Sequence, residues 1–193
     1  MIYFKNNRLN IIYKKSLSYC KKFGSHCVGH DYRHTTRVLD NALFLIKRMK
    51  LQNQINFKVI IASSLLHDIS RSYGFCGLVH GLKSFEIIKL FLKQELNFNL
   101  GELDLIKKVM TNHCIEDVNL RKTLEEKIIY DADKLDGFGV RGLWRLSIYT
   151  IFEREEGLRG IWNRIVYKMP ERRKNLHFKV SKMKSHFLLL FFI

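Results

Sequence analysis

Apolar residues recur at intervals of three and four along most of the chain. The clearest stripe comprises Val38, Leu39, Ala42, Leu45, Ile46 and Met49. Similar stripes lie within 59–67, 85–92 and 103–110. This spacing matches one face of an α-helix, whereas the period-two alternation of a half-buried strand is nearly absent. The pattern predicts an all-α fold, a compact bundle of about seven to nine helices.

Local signals place several helix ends and the domain limits. Helices are predicted over 10–23, 31–50 and 56–68. Thr123 and Glu126 have the spacing of a capping box, which predicts another helix start. Because no linker or internal repeat interrupts the chain, 1–193 is predicted to be a single domain. Its core motifs lie in 28–150, and the C-terminal helices of 158–193 are expected to pack on them.

Four polar residues stand where the apolar pattern predicts inward-facing helix surfaces. His34 shares the helical face of Val38. His67 and Asp68 end an otherwise apolar helix, and Asp133 ends another. A buried carboxylate is costly unless a cation or hydrogen-bond donors compensate it. Each residue alone is explained as a core histidine or a helix-end aspartate, but two imidazoles and two carboxylates together suit a divalent metal.

Several ordered segments carry a resemblance to a known family. They read GHDYRHTTRV at 29–38, ASSLLHDI at 62–69, HGLKS at 80–84, YDADKLDG at 130–137 and RGLWR at 141–145. Together they resemble the H…HD…D signature of the HD-domain phosphohydrolases, in particular the small bacterial-type branch tied to hydrolysis of nucleotides or nucleoside triphosphates. The resemblance covers residues 28–150 and implies an all-α, metal-dependent hydrolase.

The resemblance also implies a set of metal ligands. Carried over residue by residue, these ligands are His34, His67, Asp68 and Asp133. The ion expected first is Mn²⁺, with Mg²⁺, Fe²⁺, Co²⁺, Ni²⁺ and Zn²⁺ as alternatives. Asp131 and Asp136 are expected to accept hydrogen bonds from the ligand imidazoles. The alternative for these two is an ordinary carboxylate at a helix end.

Further residues are expected to handle the substrate. The catalytic set implied by the resemblance is Asp68, Arg37 and Lys134, with both cations contacting phosphate. His80 and His113 resemble positions that, in some branches, bind a second metal or the substrate phosphate. Arg71, just after the HD pair, is a weaker candidate for a phosphate contact. The alternative for all three cations is a plain surface position.

The implied reaction is attack by a metal-activated water on a phosphate or pyrophosphate bond of a nucleotide. Positions 69–71 carry no acidic residue. The branches that hydrolyse (p)ppGpp, and some nucleotidases, carry one there, which argues against those substrates. A different class of function stays open. The chain could be a basic nucleic-acid-binding module, or an oligonucleotide phosphodiesterase, built on the HD fold.

The charge of the chain bears on its partners. With 34 basic and 18 acidic residues, the net charge is +16. Such a field attracts phosphate-bearing molecules, so both a phosphorylated small molecule and nucleic acid are candidate partners. A genome rich in A and T would also enrich lysine, so charge alone does not decide. The basic segment 164–184 is interpreted as a polyanion contact or as a solvated helix face.

The remaining features point to a cytoplasmic protein whose oligomeric state is left open. No run approaches the ~20 apolar residues of a membrane span, and the first residues do not resemble a secretory signal. Four cysteines are too few and too irregular for a disulfide framework. One cluster has the residue types of a zinc site, namely Cys20, His26, Cys27 and His30. Its spacing fits no standard zinc pattern, and a loop histidine beside small buried thiols is the alternative.

Overall fold

The computed structural model describes residues 7–22 and 32–190, which form helices and no β-strand. The α-helices are α1 (Asn7–Lys22), α2 (Tyr32–Met49), α3 (Phe57–Leu66), α4 (His80–Gln94), α5 (Leu100–Asn112), α6 (Leu124–Asp136), α7 (Gly139–Ile148), α8 (Gly157–Asn163), α9 (Met169–Lys174) and α10 (Lys179–Leu190). A π-helical segment, Arg164–Lys168, joins α8 to α9 without a break. With α8 and α9 counted as one continuous helix, the described residues form nine helices. The prediction of an all-α fold is confirmed.

One apolar core unites the first six helices. α3 lies at its centre, because every residue from Val59 to Leu66 is buried. A largely apolar helix with no polar face belongs in an interior rather than at a surface. α2 packs against α3 and α6, while α4 packs against α5. The predicted stripe of α2 is buried from Val38 to Ile46, so its periodicity identified the core-facing side correctly.

Capping side chains fix the starts of the helices that carry the polar residues. The side chain of Asn56 accepts hydrogen bonds from two backbone N–H groups in the first turn of α3. Thr123 and Glu126 form the predicted capping box at the start of α6, with the Thr123 N–H donating to Glu126 Oε2 at 2.8 Å. Such caps satisfy amide groups that have no partner within the helix.

The end of α3 differs from the prediction. The helix ends at Leu66, two residues before the predicted end at 68. Asp68 adopts φ −109° and ψ 7°, and a short 3₁₀ segment, Ile69–Tyr73, follows it. Because the helix stops here, the adjacent side chains of His67 and Asp68 reach the same interior point instead of diverging around a helix axis.

The C-terminal region packs on one side of this core. α7 continues into a π-helical turn, Tyr149–Glu153, and a second, small apolar cluster contains Phe138, Met169 and Leu176. α10 contacts α2, α6 and α7. Within the described part of the chain, no helix combines the length and the apolar character needed to cross a membrane. The zinc hypothesis for Cys20, His26, Cys27 and His30 lies outside the described residues and side chains.

A glycine controls how closely α4 approaches the end of α5. A Cβ atom added at Gly81 would lie 1.8 Å from the carbonyl oxygen of Met110 and 2.9 Å from Cys114 Sγ. The first contact is with backbone, so it cannot be relieved by turning a side chain. The missing side chain therefore allows the two helices to touch through their backbones, directly beside His80 and His113.

We expect Gly81→Ala to destabilise the fold by about 3 kcal/mol, because overpacking forces a backbone to move. Urea unfolding followed by circular dichroism measures this change. Gly101→Ala is the matched control, since its added Cβ would meet only Asn99 Oδ1, at 3.4 Å. That variant should be neutral or slightly more stable than the wild type. Equal stabilities of the two variants would contradict this interpretation of Gly81.

Candidate metal centre

Polar side chains from five helices meet at one interior point. His34 comes from α2, His67 and Asp68 follow α3, His80 begins α4, His113 follows α5, and Asp133 lies in the last turn of α6. All of them are buried except Asp133, which is partly exposed. The structure therefore brings together the four residues predicted as metal ligands and both additional histidines.

A first group of donors consists of the four predicted ligands. His34 Nε2 lies 3.3 Å from Asp133 Oδ1 and 3.6 Å from Asp68 Oδ2. His67 Nε2 lies 3.6 Å from the same Asp68 oxygen and 4.0 Å from Asp133 Oδ1. Two nitrogens and two oxygens at this spacing could bind one divalent ion between them.

The two imidazoles of this group are oriented by acceptors on their far sides. His34 Nδ1 donates to Asp136 Oδ2 at 2.7 Å, and His67 Nδ1 donates to the carbonyl oxygen of Ser64 at 3.0 Å. Each Nε2 atom then faces the carboxylates of Asp68 and Asp133. Among the described residues, His67 Nε2 is buried without a hydrogen-bond partner, and a buried polar atom in that state is unfavourable unless something binds it. The donor set and this orphaned nitrogen both fit a metal ion.

Asp136 is the carboxylate that orients His34, as predicted. It also binds the guanidinium groups of Arg37 and Arg145, with Arg37 Nε 2.5 Å from Oδ1. The prediction for Asp131 is wrong. Its two oxygens accept the backbone N–H groups of His177 and Phe178, at 2.8 and 3.0 Å. Asp131 therefore secures the chain just before α10 and has no part in orienting a ligand imidazole.

His80 and His113 form a second pair of imidazoles. Their Nδ1 atoms lie 2.5 Å and 2.6 Å from the carbonyl oxygens of Gly77 and Met110, which can only accept. Both Nε2 atoms face inwards, 3.0 Å apart. Asp68 Oδ1 lies 3.0 Å from His80 Nε2 and 3.7 Å from His113 Nε2. The two oxygens of Asp68 thus face different pairs of imidazoles.

The electrostatics keep the carboxylates charged. Burial alone would raise the pKa of Asp68, but the Arg71 guanidinium and the nearby imidazoles hold this pKa well below its usual range. Burial would also raise the pKa of Asp133, which Lys134 and His34 lower in the same way. Burial lowers the pKa of His67 to about 3, so this imidazole is neutral. Ionised carboxylates and a neutral imidazole are the forms that bind metals.

A cavity of about 270 Å³ opens beside the two groups. Asp68, His80, His113 and Asp133 form part of its wall. The cationic residues that line it are Arg71, Lys134, Arg145, Arg164 and Arg172. Guanidinium groups bind phosphate through paired N–H donors, so a cavity with this lining suits a ligand that carries several negative charges.

The predicted phosphate contacts fall in different places. Lys134 lines the cavity, and its Nζ lies 3.1 Å from Asp133 Oδ2. Arg71 also lines the cavity and donates to Asp68 Oδ1 at 3.0 Å. Arg37 instead binds Asp136, on the Nδ1 side of His34 and away from Nε2. Arg37 therefore supports the carboxylate that lies behind His34, and its predicted contact with phosphate stays a prediction.

Sequence reasoning assigned no role to four residues at this site. Arg145 belongs to the segment RGLWR at 141–145, and Arg164 and Arg172 belong to the basic segment 164–184. Both now line the cavity. Cys114 lies against His80 and His113. The signal for Cys114 was its position directly after His113, at a helix end that already carried a candidate ligand.

Comparison with known proteins places the chain in a family. A sequence model of the HD domain matches residues 31–137, more than half of the chain. The chain belongs to the HD domain family. Among curated proteins, none matches it.

Solved structures share the fold of this HD protein. A predicted HD superfamily hydrolase from an uncultured Thermotogales bacterium is 21% identical, with a TM-score of 0.66 over 96% of this chain and 87% of that one. An HD-superfamily hydrolase from Bacillus thuringiensis is 19% identical, with a TM-score of 0.69 over 96% and 90%. Bacillus subtilis YpgQ, solved in complex with ADP, is 16% identical, with a TM-score of 0.68 over 96% and 90%. At these identities the likeness establishes the fold alone.

We expect Asp136→Asn to weaken binding of a divalent metal by about 10- to 100-fold, because it removes the charge that orients His34. Titration of the metal-free protein with Mn²⁺ by calorimetry measures the affinity, with circular dichroism to verify folding. Asp104→Asn is the control, since this exposed aspartate pairs with Lys108 on the surface of α5, away from the cluster. Unchanged Mn²⁺ affinity in Asp136→Asn would show that Asp136 does not support the metal site.

Proposed function

We propose that this HD protein is a metal-dependent phosphohydrolase that cleaves a phosphate or pyrophosphate bond of a nucleotide. Membership of the HD family supports a metal-dependent hydrolase in general. The lining of the cavity beside this cluster supports the more specific proposal of a nucleotide substrate. The histidine and aspartate cluster forms one wall of a cavity whose other walls carry five cationic side chains.

The residues of the first donor group have a direct role in this proposal. His34, His67, Asp68 and Asp133 would hold the ion, with Mn²⁺ as the first candidate. A bound divalent ion polarises a phosphoryl oxygen and lowers the pKa of a water molecule. Asp68 is ionised and can accept a hydrogen bond from the attacking water, which would orient it towards phosphorus.

The cationic residues neutralise the substrate. Lys134 lies beside Asp133, so it stands next to the position where a phosphate oxygen would approach the ion. Arg145 reaches the cavity from α7, and Arg164 and Arg172 reach it from the C-terminal helices. Several guanidinium groups in one cavity fit a chain of phosphates better than a single phosphate, because each can bind its own pair of oxygens. The ADP complex of YpgQ, a protein with the same fold, agrees with a nucleotide ligand.

Oligonucleotides are the second candidate substrate class. The net charge of +16 would attract a longer phosphate chain to the surface as well as to the cavity. An oligonucleotide held by many phosphates would bind much more weakly as salt rises, whereas a mononucleotide held within the cavity would depend on salt less steeply.

The test is a substrate panel with metal added and removed. We expect nucleoside di- and triphosphates to release phosphate or pyrophosphate with Mn²⁺ present, and release to stop when a chelator is added. Asp68→Ala should abolish both metal binding and turnover, while Asp104→Ala should change neither. Full metal-dependent turnover by Asp68→Ala would refute the site. Turnover of oligonucleotides alone would replace the nucleotide proposal with the phosphodiesterase.

We expect Arg172→Gln to raise KM for the nucleotide about tenfold with little change in kcat, since a charged hydrogen bond to substrate contributes about 1.5 kcal/mol. Steady-state kinetics on the best substrate of the panel measures both constants. Arg159→Gln is the matched control, because Arg159 is an exposed arginine on α8. Equal KM values for the two variants would remove Arg172 from the substrate contacts.

A further inference from the structure

Large apolar side chains are exposed on the helices that follow α6. Six of them are between 65% and 81% exposed. We call this set the outer apolar surface. A single exposed apolar side chain is ordinary, whereas a group of this size on neighbouring helices indicates a surface that binds something. The six residues are Val140, Trp144, Phe152, Leu158, Trp162 and Tyr167.

The spacing of these residues follows the helices that carry them. Val140 and Trp144 are four positions apart on α7, so they share one face of that helix. Leu158 and Trp162 are four positions apart on α8 and share a face in the same way. Only residues 154–156 join the two helical segments, and α8 contacts both α7 and the π-helical turn that follows it. The exposed residues therefore lie on helices that are neighbours in sequence and in space.

The same helices direct other side chains to the candidate active site. Arg145 and Tyr149 line the cavity from α7 and the turn after it, and Arg164 lines it from the segment after α8. Leu146 and Gly160 are buried. None of the six described residues of the outer apolar surface lines the cavity. The substrate site therefore does not account for their exposure.

Cationic residues are interspersed with the apolar ones. Residues 139–174 contain nine Lys or Arg and four Asp or Glu, a net charge of +5. Arg141 is exposed next to Val140, and Lys168 is exposed next to Tyr167. Long cationic side chains can lay their stems on an apolar phase while their charges stay in water. Tryptophan and tyrosine also favour the boundary between an apolar phase and water.

We propose that the outer apolar surface binds the headgroup region of an anionic lipid bilayer. Trp144, Trp162 and their apolar neighbours insert between the headgroups, and the surrounding cations pair with lipid phosphates. Basic amphipathic helices that carry Trp, Phe and Leu have the composition of helices that lie in the plane of a membrane. Such helices do not need the length of a membrane span. This binding is separate from the proposed hydrolysis of nucleotides.

The charge of the surface favours a bilayer over a second copy of the chain. Two copies that met through this surface would bring like charges together, on chains that each carry +16, and like charges repel across an interface. An anionic bilayer presents the opposite charge over its whole surface. Its fluid headgroup region also accepts apolar side chains at irregular positions, whereas a protein partner needs a complementary pocket for each of them.

Tryptophan fluorescence measures this contact, because the two tryptophans of the chain both belong to the outer apolar surface. Full-length protein without nucleotide is mixed with vesicles of phosphatidylcholine alone, or of equal parts phosphatidylcholine and phosphatidylglycerol. We expect it to sediment with the anionic vesicles only. The tryptophan emission should shift to shorter wavelength, and acrylamide should quench it less. Binding should weaken strongly in about 1 M NaCl, where the Debye length is about 3 Å.

Single-tryptophan variants test whether both helices contact the lipid. Trp144→Phe leaves Trp162 as the reporter on α8, and Trp162→Phe leaves Trp144 as the reporter on α7. If one surface binds the bilayer, the emission of each variant should shift to shorter wavelength on anionic vesicles.

Leu158→Ser tests the apolar part of the contact. Leu158 is exposed, so its replacement leaves no cavity in the core. We expect the affinity for anionic vesicles to fall about tenfold, because a leucine side chain is no longer transferred out of water. Leu100→Ser is the matched control, since Leu100 is equally exposed at the start of α5, outside this surface. Equal affinities of Leu158→Ser and the wild type would contradict the proposal.

Arg141→Gln tests the electrostatic part. Removal of one cation near an anionic surface should lower the affinity about fivefold at low salt. Lys93→Gln is the control, because it removes an exposed cation on α4. The same loss of affinity in both variants would mean that the net charge of the protein, and not this surface, determines binding.

Three further results would overturn the proposal. One is binding to neither kind of vesicle, or equal binding to both. Another is vesicle binding in which either tryptophan keeps the emission of an exposed indole, which would place the contact elsewhere on this basic protein. The third is a shift that depends on protein concentration without vesicles, which would assign the surface to a second copy of the chain. No turnover is measured, so these results are independent of the proposed hydrolase activity.

Discussion

A buried carboxylate at the end of the central helix is the constraint around which this structure is arranged. α3 is buried along most of its length and leads directly into Asp68 in the interior. A charge in that position requires compensation from every side. The neighbouring segments provide it, since His34, His67, His80 and His113 all turn an Nε2 atom towards Asp68 and Arg71 donates to it. The helices that surround α3 thus meet at a charge, and not only at an apolar contact.

The sequence was informative where polar residues interrupt an apolar stripe. The sequence identified four candidate ligands because each stands at an inward-facing position of a helix, where a polar side chain is costly to bury without a partner. They are His34, His67, Asp68 and Asp133. The early end of α3 could not be foreseen, since the apolar pattern continues to Leu66 and the residues that follow carry no helix-breaking glycine until Gly74. The carboxylates of α6 show the limit of local patterns. Asp131 and Asp136 look equivalent in sequence, but only tertiary packing decides that one faces α10 and the other faces α2.

Residues that join the site from a distance were beyond the reach of periodicity. Arg37 on α2 and Arg145 on α7 bind the same carboxylate, that of Asp136, and no local sequence pattern predicts this pairing. Arg164 stands in a π-helical segment and Arg172 in α9. Their direction depends on how the C-terminal helices pack against α6 and α7. The basic segment 164–184 shows in sequence that cationic side chains are present. It does not show which of them face a cavity and which face solvent.

The backbone contact at Gly81 bears on the size of an ion that would bind between His80 and His113. His80 precedes Gly81, and His113 stands three residues after Met110, whose carbonyl oxygen the glycine touches. The two imidazoles are therefore mounted on backbones that cannot move closer and that are held together by the packing of α4 on α5. Ca²⁺ prefers ligands at about 2.3–2.6 Å and six or more of them. For Ca²⁺ to bind between these two imidazoles, α4 and α5 would have to separate, so their close packing at Gly81 would favour a smaller ion.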